Sequence, residues 1–394
     1  MSHPLIARNA DLKGLEDDGF EIEIIDANQL VVRSVPYIND KRQVRFGVLI
    51  STLKLSGDIT NAPSPHTVMW TGDFPCDEHG RPLEKLRHGQ PNTAVGDDLV
   101  ARFSFSNKPP GGYRDYRQQI TNYVAIISGP AEVLDPHVSA RTGRIIENTD
   151  PESVFAYPDT ASSRAGIVAV QRKLKLRSVA ILGLGGTGSY VLDYVAKTPI
   201  EQIHLFDRDR FSSHNAFRAP GAASLDELRA RPTKAAYYTA VYSRMRRGIV
   251  PHEYHISPSN VAELDEMDFV FVCMDAPKSK KAVVERLRQR GKPFIDVGMG
   301  LMLADENSLR GTLRVTTSTN NKNDHIIGQQ RVSFAGDDNG LYGQNIQVAD
   351  LNALNAALAV VKWKKLFGFY ADLRREHFST YTIEGDSLTN EDIA

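Results

Sequence analysis

The sequence predicts a doubly wound α/β domain preceded by a smaller α+β domain, and three observations carry that expectation. Residues 178–206 run apolar strand, glycine turn, helix, strand, the building unit of a parallel sheet. The same alternation of strand and helix patterns continues to residue 297. The chain has 394 residues, more than one hydrophobic core usually serves.

The first domain is expected over residues 1–150. Phe20–Ile25, Leu30–Val35, Val44–Leu53, Thr67–Trp70 and Leu99–Phe105 are rich in β-branched and aromatic residues, with turn formers between them. Tyr116, Ile120, Tyr123 and Ile127 recur at helical spacing after Pro109-Pro110-Gly111-Gly112, which predicts an amphipathic helix with those four in its core face. Residues 135–163 are rich in Pro, Ser, Thr, Asp and Asn and read as the boundary, so the second domain is expected over 151–394.

Within that second domain a helix is expected over Ala165–Leu174, ahead of the buried strand Ser178–Leu182. Gly183, Gly185, Gly186 and Gly188 then form a turn too tight for side chains. The helix after it, Ser189–Lys197, would offer free N–H groups and its positive dipole end to a phosphate. The next strand, Gln202–Phe206, ends at Asp207, where a carboxylate can meet a ribose hydroxyl. Leu225–Arg247 reads as one helix, His252–Ile256 and Phe269–Met274 as strands, Lys278–Arg290 as a helix, and Phe294–Val297 and Leu309–Thr317 as strands. Residues 318–343 are a long polar loop. Gln344–Phe367 is a helix with Ile346, Leu351, Leu354, Leu358, Val361 and Leu366 as its apolar stripe. Phe378–Ile383 is a final strand, and the acidic end from Gly385 is expected to be mobile.

The groups beyond Asp207 set this chain apart from a dinucleotide enzyme. Asp209, Asn215, Arg218 and Lys234 follow in close order, a set suited to a triphosphate and to charge that builds in phosphoryl chemistry. With the glycines, Asp207 and Asp275, this pattern resembles the ThiF/MoeB/HesA superfamily of adenylating enzymes over roughly residues 160–385. The resemblance implies a Rossmann-like adenylation domain with ATP as substrate and Mg²⁺ held by Asp275. It assigns Asp207 and Asp209 to the nucleotide, Asn215, Arg218 and Lys234 to its phosphates, and 318–343 to a loop embracing a carrier protein's tail. Arg164 matches an arginine that reaches a partner subunit's phosphates, which implies a homodimer. Phe74–Leu83 is similar to the active-site segment of ubiquitin-conjugating enzymes, but Pro82 and Leu83 stand where the reactive Cys would be. That implies a conjugating-enzyme-like first domain without activity.

The implied reaction is adenylation of the C-terminal carboxylate of a ubiquitin-like protein in a bacterial modification pathway, followed by transfer to a separate conjugating protein. Cys76 and Cys273 are the chain's two cysteines, and both read as small hydrophobes rather than nucleophiles. A hydroxyl among Thr316, Thr317, Ser318 and Thr319 is the alternative internal acceptor. Other classes stay open: an NAD-dependent oxidoreductase, a sulfur-carrier-protein adenylyltransferase, or a scaffold without catalysis. The net charge of −1 gives no basic excess for nucleic acid, no apolar run reaches membrane-spanning length, and the cysteine count suits a reducing cytoplasm.

Overall fold

The structure is a computed structural model that describes residues 4–393, except 27, 97–98, 145–152, 158, 305–306 and 335–345. The chain divides into two compact units, Met1–Ser153 with Tyr157–Ile167, and Val154–Ala156 with Val168–Ala394.

The first unit is built on a six-stranded antiparallel sheet. Its order is Ile22–Ile25, Gln29–Ile38, Val44–Thr52, Val68–Trp70, Phe103–Phe105, Arg87–Gly89. Helix Tyr116–Leu134 packs across it, capped by the Asp115 carboxylate, which accepts from Gln118 N at 2.8 Å. Tyr116, Ile120, Tyr123 and Ile127 are all buried there, as their spacing requires. Two helices the sequence pattern did not suggest, Pro4–Arg8 and Ala10–Asp17, precede the sheet. Cys76 is buried, and burial pushes its thiol up, aided by Asp40, Asp77 and Glu84. The Asp77–Arg81 stretch is a turn: Asp77 Oδ1 accepts from the N–H groups of His79 and Arg81, and Gly80 has a φ of +84°.

The second unit is a doubly wound α/β fold. We label its strands β1 (Ser178–Leu182), β2 (Gln202–Phe206), β3 (Ile249–His252), β4 (Phe269–Val272), β5 (Phe294–Leu303), β6 (Leu309–Ser318), β7 (Glu376–Thr382) and β8 (Ser387–Ile393). They form one sheet in the order β3-β2-β1-β4-β5-β6-β7-β8, parallel from β3 to β5 and antiparallel beyond. Helices α1 (Gly186–Val195), α2 (Lys234–Tyr242) and α4 (Ala349–Leu366) share one core with the face of β1 that carries Val179 and Ile181. Helix α3 (Pro277–Gln289) packs on the opposite face with Ala180 and Leu182. The strand order reverses at β1, the place where ligands bind in such sheets.

Several boundaries differ from expectation for identifiable reasons. The helix expected over Ala165–Leu174 is broken by Gly166, whose φ of +68° leaves only short helical turns at Thr160–Arg164, Val168–Gln171 and Arg172–Leu174. The one helix expected over Leu225–Arg247 is two, because Arg231 is left-handed at φ +48° and Pro232 follows it. The strand expected at His252–Ile256 lies earlier, at Ile249–His252. The acidic end is ordered: Asp386, at φ +45°, closes a turn that lays β8 antiparallel on β7. Part of the expected loop 318–343 falls outside the described residues. The described part is pinned at Arg331, whose carbonyl accepts from Arg314 Nη1 and Thr316 Oγ1 and whose side chain binds Glu391 and Asp392 of β8.

Burial holds the pKa values of His204, His252, His325 and His377 below the usual 6.5; the His252 charge adds to this at His204. The unfolded chain therefore takes up protons near pH 6.5 that the fold resists, so stability is full above that pH and is lost as pH falls below it. Unfolding followed by Trp363 fluorescence in a Trp70→Phe chain should show a midpoint that drops between about pH 7.5 and about pH 5.5. The drop should shrink in a His325→Gln chain; an unchanged midpoint across that range would contradict the account.

Candidate active site

The turn from β1 into α1 is set by close approach. Gly183 has φ +89° and donates its N–H to Phe206 O at 2.9 Å, and a Cβ there would stand 2.8 Å from the Cys273 carbonyl oxygen. A Cβ on Gly188 would lie 2.0 Å from Gly183 O, and one on Gly186 would lie 2.0 Å from Asn352 Nδ2. Gly185 differs: it is the N-cap of α1 at φ −69°, with open space where its side chain would be. The helix begins inside the glycine motif, ahead of the expected Ser189, so its first free N–H groups lie on the turn itself.

Asp207, at the end of β2, reaches back across this turn. Its Oδ2 accepts from Leu184 N at 2.7 Å and its Oδ1 from Asp209 N at 2.9 Å. Lys234, buried at the first turn of α2, donates from Nζ to Asp209 Oδ2 at 2.9 Å and lies 3.7 Å from Asp207 Oδ2. Its own N–H donates to Asp209 O at 2.8 Å, so main chain and side chain tie one residue to the other. Burial works against the Asp209 charge, but the Lys234 hydrogen bond and charge, with His255 and Arg208, hold its pKa below the usual carboxylate range.

The segment after β2 presents two donors with no acceptor among the described residues. Asn215 Oδ1 accepts from both the N–H and the hydroxyl of Ser212 at 3.0 Å, the reciprocal cap of a short helix. That fixes the amide so that Asn215 Nδ2 is buried without a hydrogen-bond partner among the described residues; Arg218 Nε is the same. A buried donor left unsatisfied costs about 1–3 kcal/mol, which a ligand oxygen would offset.

Asn352, buried near the start of α4, joins these parts: Thr187 Oγ1 donates to its Oδ1 at 3.0 Å, and its Nδ2 donates to Arg218 O at 3.3 Å. Nothing in the sequence pattern marked it, because the apolar stripe expected on its helix lies elsewhere. Asp275 is exposed just past β4, one residue ahead of Ala276, the N-cap of α3. The Arg164 side chain lies outside the described residues. Cys273 packs against Gly188, and burial, then Asp296, pushes its thiol far up. Thr316, Thr317 and Ser318 are buried, and Ser318 pairs with Phe294 at the amino end of β5, away from the glycine turn. Thr319 Oγ1 accepts from Lys322 N at 3.2 Å. Thr319 is half-buried, and its Oγ1 also lies 3.3 Å from His377 Nε2.

Residues 160–322 match the ThiF family, and residues 10–160 match a domain of unknown function (DUF6791). Ubiquitin-like modifier-activating enzyme 5 of Caenorhabditis briggsae is 24% identical over 48% of this chain and 46% of its own length. The Gallus gallus enzyme of the same name is 26% identical over 45% of this chain and 48% of its own. The chain spans about half the length of the curated relatives it matches. Among solved structures, E. coli MccB with ATP aligns at a TM-score of 0.45 and 19% identity over 60% of this chain and 70% of that one. PaaA aligns at 0.45 and 16%, over 57% of this chain and 76% of that one.

The glycines separate into required and tolerant positions. Gly188→Ala should cost about 1–3 kcal/mol or more in unfolding free energy, whereas Gly185→Ala should stay within about 0.5 kcal/mol of the parent. Equal losses in a denaturant titration would refute the close-packing account of this turn.

Proposed function

Residues 160–322 being a ThiF family domain, we propose that the chain adenylates the C-terminal carboxylate of a ubiquitin-like carrier protein with ATP. The observation that carries this reading is the pair of buried donors, Asn215 Nδ2 and Arg218 Nε, that have no hydrogen-bond partner among the described residues, with the Arg218 carbonyl tied through Asn352 to the first turn of α1. They suit phosphate oxygens, which accept hydrogen bonds and carry charge.

In this reading a carboxylate oxygen of the carrier attacks the α-phosphorus. The new O–P bond forms as the bond to the bridging oxygen breaks, and pyrophosphate leaves with that electron pair. Asn215, Arg218 and Lys234 receive the phosphates and neutralise charge before two anions meet. Asp207 would meet the ribose with Asp209 beside it at the nucleotide, and Gly183, Gly185, Gly186 and Gly188 let the nucleotide approach the main chain. Asp275 would hold Mg²⁺, which supplies charge neutralisation at the phosphates. One exposed carboxylate fits that ion, which is commonly held by one or two carboxylates plus phosphate oxygens and water. Among the described residues no cluster of three His, Cys, Asp or Glu would hold a metal alone.

Transfer after adenylation goes to a nucleophile on a separate conjugating protein, since both thiols are held neutral by burial. The first unit then serves as a docking or dimerising module. Its antiparallel sheet and crossing helix, with Cys76 inside the fold, are compatible with a conjugating-enzyme-like unit that has no thiol to use.

ATP with Mg²⁺ should raise the thermal midpoint and NAD should not; the reverse would favour an oxidoreductase. Arg218→Ala should lower carrier-dependent ATP–pyrophosphate exchange by about 10²–10³, the usual effect of removing one donor to developing charge. Asp275→Asn should abolish exchange in a chain that still folds. In a homodimer with Arg164 acting across it, mixing Arg164→Ala and Lys234→Ala chains restores exchange in the mixed dimers; an active monomer would exclude that arrangement.

A further inference from the structure

We propose that Asn352 is the positioning residue that ties the Arg218 main chain to the first turn of α1 and so sets the reach of its guanidinium, an inference that rests on the nucleotide-binding reading above. The side chain is fully buried on α4, a place where Leu or Ala would pack at lower desolvation cost. Its amide is instead spent on two named groups. Oδ1 accepts the Thr187 hydroxyl at 3.0 Å, on the first turn of α1, and Nδ2 donates to Arg218 O at 3.3 Å. Gly186 is open to it, since any Cβ at that position would sit 2.0 Å from Nδ2.

The consequence lies in what Arg218 is left with. Its main-chain carbonyl is anchored, while its Nε has no hydrogen-bond partner among the described residues. With no partner for Nε among the described residues, the anchored carbonyl is the tie between Arg218 and α1 that Asn352 supplies. A donor aimed at phosphate is effective only if held in place before the ligand arrives. Asn352 thus couples the glycine turn, through Thr187, to the cation that works beside it.

A double-mutant cycle on the affinity of a non-hydrolysable ATP analogue with Mg²⁺ tests this. Asn352→Ala should weaken binding about tenfold in the parent chain and by less than about twofold in an Arg218→Ala chain. Thr187→Val, which removes the hydroxyl that orients the amide, should weaken binding by a smaller factor, about threefold, and again by less than about twofold in an Arg218→Ala chain. Equal losses in the two backgrounds, or a Thr187→Val loss as large as that of Asn352→Ala, would overturn the positioning role. If Asn352→Ala fails to fold, Asn352→Ser carries the same cycle. A parent chain that binds the analogue but exchanges no pyrophosphate overturns the enzymatic reading and leaves the cycle readable; one that binds no nucleotide overturns both.

Discussion

The second unit depends on one buried carboxylate. Asp207 takes the N–H of Leu184 on one oxygen and the N–H of Asp209 on the other. It thereby joins the turn after β1 to the loop after β2, just beyond the last paired residues of the two strands. Buried charges persist only when paired and hydrogen-bonded, and here two main-chain donors and the nearby Lys234 ammonium meet that need. The constraint propagates. Gly183 has to be glycine because the turn so held brings it against Cys273 O, and Lys234 has to be buried because its partner Asp209 is fixed by the same carboxylate.

That arrangement divides the cations of the site into two kinds. Lys234 is already neutralised, bonded to Asp209 and close to Asp207. Arg218 Nε and Asn215 Nδ2 have no hydrogen-bond partner among the described residues. A polyanion entering the site gains most from the second kind, whose desolvation has already been met by the fold. Its gain at Lys234 is smaller, because the ammonium must be shared with or released by Asp209. Asp209 is more than half exposed on its side chain, at 55%, so water can take the place of that contact. The resting ion pair therefore keeps the lysine in place without locking it.

Much of this site was legible in the sequence because it is local. Gly183–Gly188, Asp207, Asp209, Asn215, Arg218 and Lys234 lie within one strand–helix–strand unit and its following loop, and spacing along the chain translates directly into spacing at the strand ends. The helix breaks at Gly166 and Arg231 were harder, because both depend on a left-handed residue that periodicity does not register. The ordered C-terminal strand was misread for a different reason. Its exposed acidic residues look solvated along the chain, and only the fold brings Arg331 to Glu391 and Asp392. Arg246 is similar: an arginine in a basic run, yet buried, with its guanidinium donating to Ala196 O and Thr198 O at the C-terminal end of α1.

Helix α4 shows most plainly where hydrophobic periodicity fails and why. The apolar stripe expected from Leu351, Leu354, Leu358 and Val361 is not the buried face; Leu354 and Val361 are 36% and 42% exposed. The buried face runs through Asn352, Asn355, Ala356, Ala359, Val360 and Trp363. Two asparagines on that face make the pattern look polar where the helix is most deeply packed. Each is there for a main-chain oxygen outside the helix: Asn352 for Arg218 O, and Asn355 for Gly298 O on β5 at 3.1 Å. A search for core residues by apolarity passes over such positions, because a buried amide is retained only when its partners are worth more than the packing it displaces. On this helix the residues that break the pattern are the ones that tie it to other elements, Asn352 to the site and Asn355 to β5.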